Sequence, residues 1–165
     1  MARRNPIIEM MGEPLPSLSY QRAKLFRPTR RELLTTYDLI NKHVFKNAMY
    51  RPQLELKSHI RKAWGQCFWL NQQQPSGSHC RIELSDKWFC RSWFVSTLAH
   101  EMVHQYQFDV YRFELLEQGK KLPENSFGHG PSFFMWRDEF AKYDLPLKTF
   151  FRWKKWLKYQ DFNRC

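Results

Sequence analysis

The sequence predicts an α+β domain in which a small β-sheet packs against a central helix, with further helices before and after it. Three observations point there. Apolar residues recur at helical spacing from Leu33 to Phe45. Short runs at 53–57, 63–70 and 81–84 have strand character, two of them with the clean two-residue alternation of a strand. A second helical pattern, Val95, Leu98, Met102 and Tyr106, lies downstream of these runs. At 165 residues the chain fits one domain and can bury a core, and 42% hydrophobic and 17% aromatic residues argue against disorder.

In chain order, residues 1–28 read as an irregular, basic N-terminal arm, punctuated by Pro6, Pro14 and Pro16. A helix is expected from Thr29 towards Asn47 on the pattern Leu33, Leu34, Tyr37, Leu39, Ile40, Val44, Phe45, bounded by Pro28 and Pro52. Leu54 and Leu56 alternate with Gln53, Glu55 and Lys57 as a short strand. The run 63–70 is a second strand with Gly65 as a candidate bulge, and the composition of 71–79 (NQQQPSGSH) is that of a loop. Arg81-Ile82-Glu83-Leu84 alternates again, and Ser85 is a suitable N-cap for a helical turn at Asp86. After the central helix, 117–131 is polar and turn-rich, a helix is expected from about 132 to 143, and 147–165 forms a basic, aromatic C-terminal segment.

The central helix carries the one stretch that specifies chemistry, His100-Glu101-Met102-Val103-His104. Two histidines four apart lie on one helix face about a turn from each other, so both imidazoles can reach a single metal ion. Glu101 projects to the flank of that face, placed to move a proton rather than to coordinate. Val95, Leu98, Met102 and Tyr106 fall on the opposite side, which is expected to bury itself in the core while the histidine side faces a cleft.

A catalytic zinc usually has three protein ligands and an open fourth position. His129, in Gly128-His129-Gly130-Pro131, is the favoured third ligand: the glycines let the backbone turn tightly and Pro131 suits the first turn of a following helix. Glu114, Glu117 and Glu124 are the competitors. For a closed, structural site, Cys80 and His79 are the candidate fourth ligands.

The order Ile82-Glu83-Leu84-Ser85, then Leu98-Ala99-His100-Glu101-Met102-Val103-His104, then Gly128-His129-Gly130-Pro131-Ser132-Phe133 resembles the SprT-like (Spartan-type) zinc metalloprotease domain. Tyr37-Asp38-Leu39-Ile40-Asn41 through Phe45 resembles that domain's opening helix, and Ala63-Trp64-Gly65-Gln66-Cys67 its Gly-x-Cys strand. The resemblance implies a compact, zincin-like domain over 29–146. It implies Zn2+ held by His100, His104 and His129, Glu101 as catalytic acid/base, and hydrolysis of peptide bonds in proteins bound or crosslinked to DNA. Two departures stand out: the 25 positions between His104 and His129 imply an insertion, and no cysteine pair of zinc-ribbon spacing follows. The oxyanion-stabilising group is unassigned, with Arg137 and Tyr143 as candidates. Against the protease reading stands a non-catalytic nucleic-acid-binding or partner-binding protein with a structural or vestigial zinc site.

Charge favours a polyanionic partner: 27 Lys plus Arg against 16 Asp plus Glu give a formal net charge of +11. In the C-terminal segment, Lys148, Arg152, Lys154, Lys155 and Lys158 suit phosphates, while Trp153 and Tyr159 could stack on unpaired bases. The expected partner is therefore DNA, single-stranded or distorted. The alternative is that these aromatics only pack on the core. Arg22, Lys24, Arg27, Arg30 and Arg31 form a second basic cluster. No signal peptide or membrane span is expected, and the dispersed Cys67, Cys80, Cys90 and Cys165 read as thiols of a reduced, cytoplasmic protein.

Overall fold

Residues 6–11, 26–58, 63–88, 90–122 and 127–149 are described by the computed structural model. They form the expected zincin-like α+β architecture, a three-stranded sheet with helices around a central one. The helices are α1 (Pro6–Met11), α2 (Arg30–His43), α3 (Arg91–Tyr106), α4 (Arg112–Glu117), α5 (Pro131–Phe134) and α6 (Arg137–Ala141). The strands are β1 (Gln53–Lys57), β2 (Gly65–Trp69) and β3 (Cys80–Ser85).

Helix α2 starts where the sequence places it because Thr29 and Glu32 form a reciprocal cap. The Glu32 N–H donates to Thr29 Oγ1 at 3.1 Å, and the Thr29 N–H donates to Glu32 Oε2 at 2.8 Å. It ends at His43, short of Asn47, as Lys46 and Asn47 turn the chain through left-handed φ values of 57° and 60°. The N-terminal arm over 1–28 is not wholly irregular: α1 forms there, and Ile7 is fully buried against the core.

The sheet order is β1-β3-β2, with β1 parallel and β2 antiparallel to β3. Central β3 alternates as its sequence dictates. Cys80, Ile82 and Leu84 have no solvent exposure, while Arg81 and Glu83 pair on the outer face with Nε to Oε1 at 3.0 Å. Gly65 is paired in register with Leu84 and makes no bulge. Its role is close approach: a Cβ there would lie 2.8 Å from Leu84 Cδ2, 2.9 Å from Glu101 Cγ and 3.0 Å from Thr97 Cγ2. No helix begins at Asp86. Ser85 Oγ instead accepts the Lys87 N–H at 3.3 Å, and Trp88 then bridges to Phe26 before α3 starts at Arg91.

Helix α3 is more central than a simple amphipathic pattern implies. Val95, Leu98 and Met102 are buried as expected, and so are Trp93, Ser96, Thr97, His100 and Glu101 on the other side. A helix covered on every side occupies the middle of a domain rather than its rim. Beyond Tyr106 the helix does not stop but continues through a π-helical turn, Gln107–Tyr111, into α4. Part of the stretch between His104 and His129 is thus helical. The helix expected over 132–143 is divided into α5 and α6 by a turn at Met135 and Trp136, and the core continues through Phe140, Tyr143 and Leu145, with Leu147 packed against it. Among the described residues no helix is long and apolar enough to cross a membrane. Cys67 and Cys80 are free thiols as expected, whereas Cys90 is disulfide-bonded.

Candidate metal centre

His100, Glu101 and His104 arrive together because one helix turn separates the two histidines. His129 joins them from the loop that leads into α5. The Nε2 atom of His129 lies 3.1 Å from His100 Nε2 and 3.2 Å from His104 Nε2, so three ring nitrogens converge on one point. A tetrahedral ion with N-ligand bonds of ~2.0–2.1 Å has ligand–ligand edges of about 3.3–3.4 Å, close to this spacing. Beneath them lies Phe133, fully buried, with ring centroids 4.8, 5.0 and 4.7 Å from His100, His104 and His129. The three imidazoles therefore rest on one apolar floor.

The donor chemistry also fits a cation. His100 Nδ1 faces the Lys148 carbonyl oxygen at 2.5 Å. A carbonyl only accepts, so Nδ1 carries the hydrogen and Nε2 presents a lone pair. His104 Nδ1 faces Gln107 Oε1 at 2.8 Å and reaches the same state. Partners of this kind orient ligand histidines and fix their tautomers. Burial is the first cause holding His100 down to about 3, with neighbouring His104 and His129 adding to it and the Lys148 carbonyl opposing. His104 is lowered by burial first, against the opposing hydrogen bond to Gln107, and His129, more open to solvent, is lowered by desolvation. All three are held towards the neutral form, the state in which an imidazole can take a metal ion.

Glu101 is not part of the converging group. It is buried beside β2, its Cγ against Gly65, and burial pushes its carboxyl up to about 8 while a hydrogen bond from the Cys67 backbone pulls it down. Strand β2 thus sets the position of Glu101, and the absence of a side chain at Gly65 lets strand and helix approach closely enough to do so.

The other candidates lie elsewhere. Glu114 and Glu117 are exposed on α4, away from the three histidines, and Glu124 lies outside the described residues. His79 stacks on Trp69 at a centroid distance of 4.8 Å, and the Cys80 thiol faces Asp109, so neither supplies a fourth ligand. The Tyr143 hydroxyl donates to the His43 carbonyl at 2.9 Å, and Arg137 stacks over Phe134. Both oxyanion candidates are therefore engaged in other contacts. Gly130 has φ −96° and open space where a Cβ would project, and positive φ among the described glycines occurs only at Gly77 and Gly119. The glycine frame around His129 is not a conformational requirement. Pro131 does open α5 as expected.

Of the nucleic-acid candidates, Lys148 is described, and its contribution is a backbone one: the carbonyl that holds His100. Arg152, Trp153, Lys154, Lys155, Lys158 and Tyr159 lie outside the described residues, as do Arg22 and Lys24, while Arg27, Arg30 and Arg31 are exposed. Residue-by-residue reading missed Gln107, the Lys148 carbonyl and the Phe133 floor. Gln107 was findable, because a residue three past a helical ligand lies one turn on and on the same side.

Two comparisons complete the description. The SprT-like family model matches residues 33–150, well over half of the chain and spanning all three histidines. No curated protein matches.

Proposed function

The chain belongs to the SprT-like family, and from that premise we propose that it is a zinc-dependent metalloendopeptidase acting on proteins bound or crosslinked to DNA. In this reading His100, His104 and His129 hold the zinc and Glu101 is the general acid/base. The observation that carries it is the convergence of three imidazole Nε2 atoms, with no fourth protein ligand among the described residues. A structural zinc would be closed by a fourth ligand, whereas a catalytic one keeps a position open.

The chemistry a bound zinc supplies is Lewis acidity, which polarises a carbonyl and eases loss of a proton from water near neutral pH. The chain's own part is to hold the reactants and move that proton. Burial alone favours the protonated Glu101, and the positive charge of a bound zinc would favour its carboxylate; in that form Glu101 takes the proton as water attacks the scissile carbonyl and returns it to the leaving amine nitrogen. Its confinement between α3 and β2 keeps it beside the ligand pair without coordinating, and Phe133 keeps the floor of the site apolar. The DNA-associated substrate is supported by the net charge of +11 and the resemblance noted above.

The test compares the purified protein with a Glu101→Gln variant. Bound zinc is expected to stay stoichiometric in both, while cleavage of a DNA-binding protein, assayed with and without single-stranded DNA, falls by about 10²–10⁴-fold in the variant. Equal cleavage by the two proteins, or none by either, would sink the protease reading.

A further inference from the structure

We infer that Gln107 is a positioning residue of the metal centre, one that fixes the second ligand and ties it to the loop carrying the third. The inference rests on the metal site proposed above and goes beyond it by naming what keeps two ligands from separate segments in register. Gln107 is fully buried, a setting that suits a primary amide only when its polar groups are satisfied. Its partners determine how the amide points. The Gly128 carbonyl can only accept, so the Gln107 nitrogen faces it, at 3.1 Å, and the second N–H of that nitrogen reaches Ser132 Oγ at 2.9 Å. The amide oxygen is then left to face His104 Nδ1 at 2.8 Å, which puts the hydrogen on Nδ1 and the lone pair on Nε2. Each step follows from the one before, running from a backbone carbonyl to a metal ligand.

Gly128 and Ser132 stand on either side of His129, so a single amide grips the third-ligand loop at both ends. The continuation of α3 into the π-helical turn provides the position, because a chain that left the helix at Tyr106 would have no residue one turn past His104 on the same side. The opposite side of this stretch has separate duties. Gln105 and Asp109 reach Tyr37, Ser78 and the His79 backbone and touch neither ligand loop nor ligand.

The experiment uses the full-length chain, wild type and Gln107→Met, stripped of metal. Zinc affinity is measured by competition with a chromophoric chelator, the ligand field by the absorption spectrum of the Co(II)-substituted protein, and the metal-free fold by circular dichroism. Gln107→Met is expected to keep the metal-free fold, bind zinc about 10–100-fold more weakly and change the Co(II) spectrum. In a His129→Ala background the same substitution should weaken zinc less, keeping the part that comes from His104 and losing the part that comes from the loop, which no longer bears a ligand. Equal zinc affinity and an unchanged Co(II) spectrum in wild type and Gln107→Met overturn the positioning role and leave the metal site standing. Absence of zinc binding by the wild type overturns both. If Gln107→Met does not fold, Gln107→Asn keeps the amide but cannot span both partners. It is expected to weaken zinc in the same way, and unchanged affinity there overturns the role.

Discussion

His100 and Glu101 are each 6% exposed on a sixteen-residue helix packed on every side, whereas His129 is exposed and rides on a loop just ahead of the four-residue α5. The two halves of the metal centre are built differently. The helical half is placed by local geometry and would keep its shape with or without a third partner. The loop half has no such frame, and what holds it comes from elsewhere: Phe133 beneath and Gln107 at its flanks. The site therefore combines a rigid pair of ligands with a tethered one, and loss of each should be felt differently.

The sharpest way to break this contrast is to remove one ligand from each half. His100→Ala and His129→Ala should both weaken zinc binding by about 10²–10³-fold, the per-ligand share of the ~10–16 kcal/mol with which four-ligand structural sites hold zinc. Only His100→Ala should also destabilise the metal-free protein, by about 1–3 kcal/mol. It empties a position that is only 6% exposed and removes the hydrogen bond to the Lys148 carbonyl, whereas the His129 ring is exposed. Chelator competition gives the first effect and denaturant unfolding of the metal-free proteins the second. Equal metal-free stability of the two variants would remove the distinction between rigid and tethered halves.

A smaller effect is expected from Gly65→Ala, which perturbs the helical half from outside. The added methyl would press on Glu101 Cγ, Thr97 Cγ2 and Leu84 Cδ2 together. Overpacking of this kind costs about 1–3 kcal/mol. His100 and His104 stand on other positions of α3 and His129 on a separate loop, so zinc affinity should change little while proteolysis falls, separating the acid/base from the metal. If zinc affinity and proteolysis drop in step, Gly65 supports the whole helix rather than Glu101.

The same contrast explains what could be read from the sequence. The motif histidines, the strand alternation of β3 and the Thr29 cap are local patterns, and each was legible because its period or spacing is set by the backbone. His129 was legible as a candidate through its place ahead of Pro131 and its match to the family pattern, although the glycines beside it do not use their conformational freedom. The Lys148 carbonyl could not be found, since any residue has a carbonyl and only the fold brings this one to His100. The burial of α3 on both sides was likewise hidden. Ser96 and Thr97 look like a polar face in sequence, and only the packing around them puts them inside.

The smallest expected effect tests whether the two sides of the π-helical stretch act independently. On the side away from the ligands, the Tyr37 hydroxyl donates to Gln105 Oε1 at 2.9 Å, and Gln105 Nε2 donates to Asp109 Oδ2 at 2.9 Å. This network joins α2 to the helix without touching His104 or its loop. Tyr37→Phe removes one donor and leaves Gln105 Oε1 buried with less satisfaction, which should cost about 1–2 kcal/mol in denaturant unfolding. Zinc affinity should stay at the wild-type value, in contrast to Gln107→Met two residues along the same helix from Gln105. If Tyr37→Phe weakened zinc as well, the polar residues from Gln105 to Asp109 would form one coupled brace. The separate role given to Gln107 would then have to be shared with its neighbours.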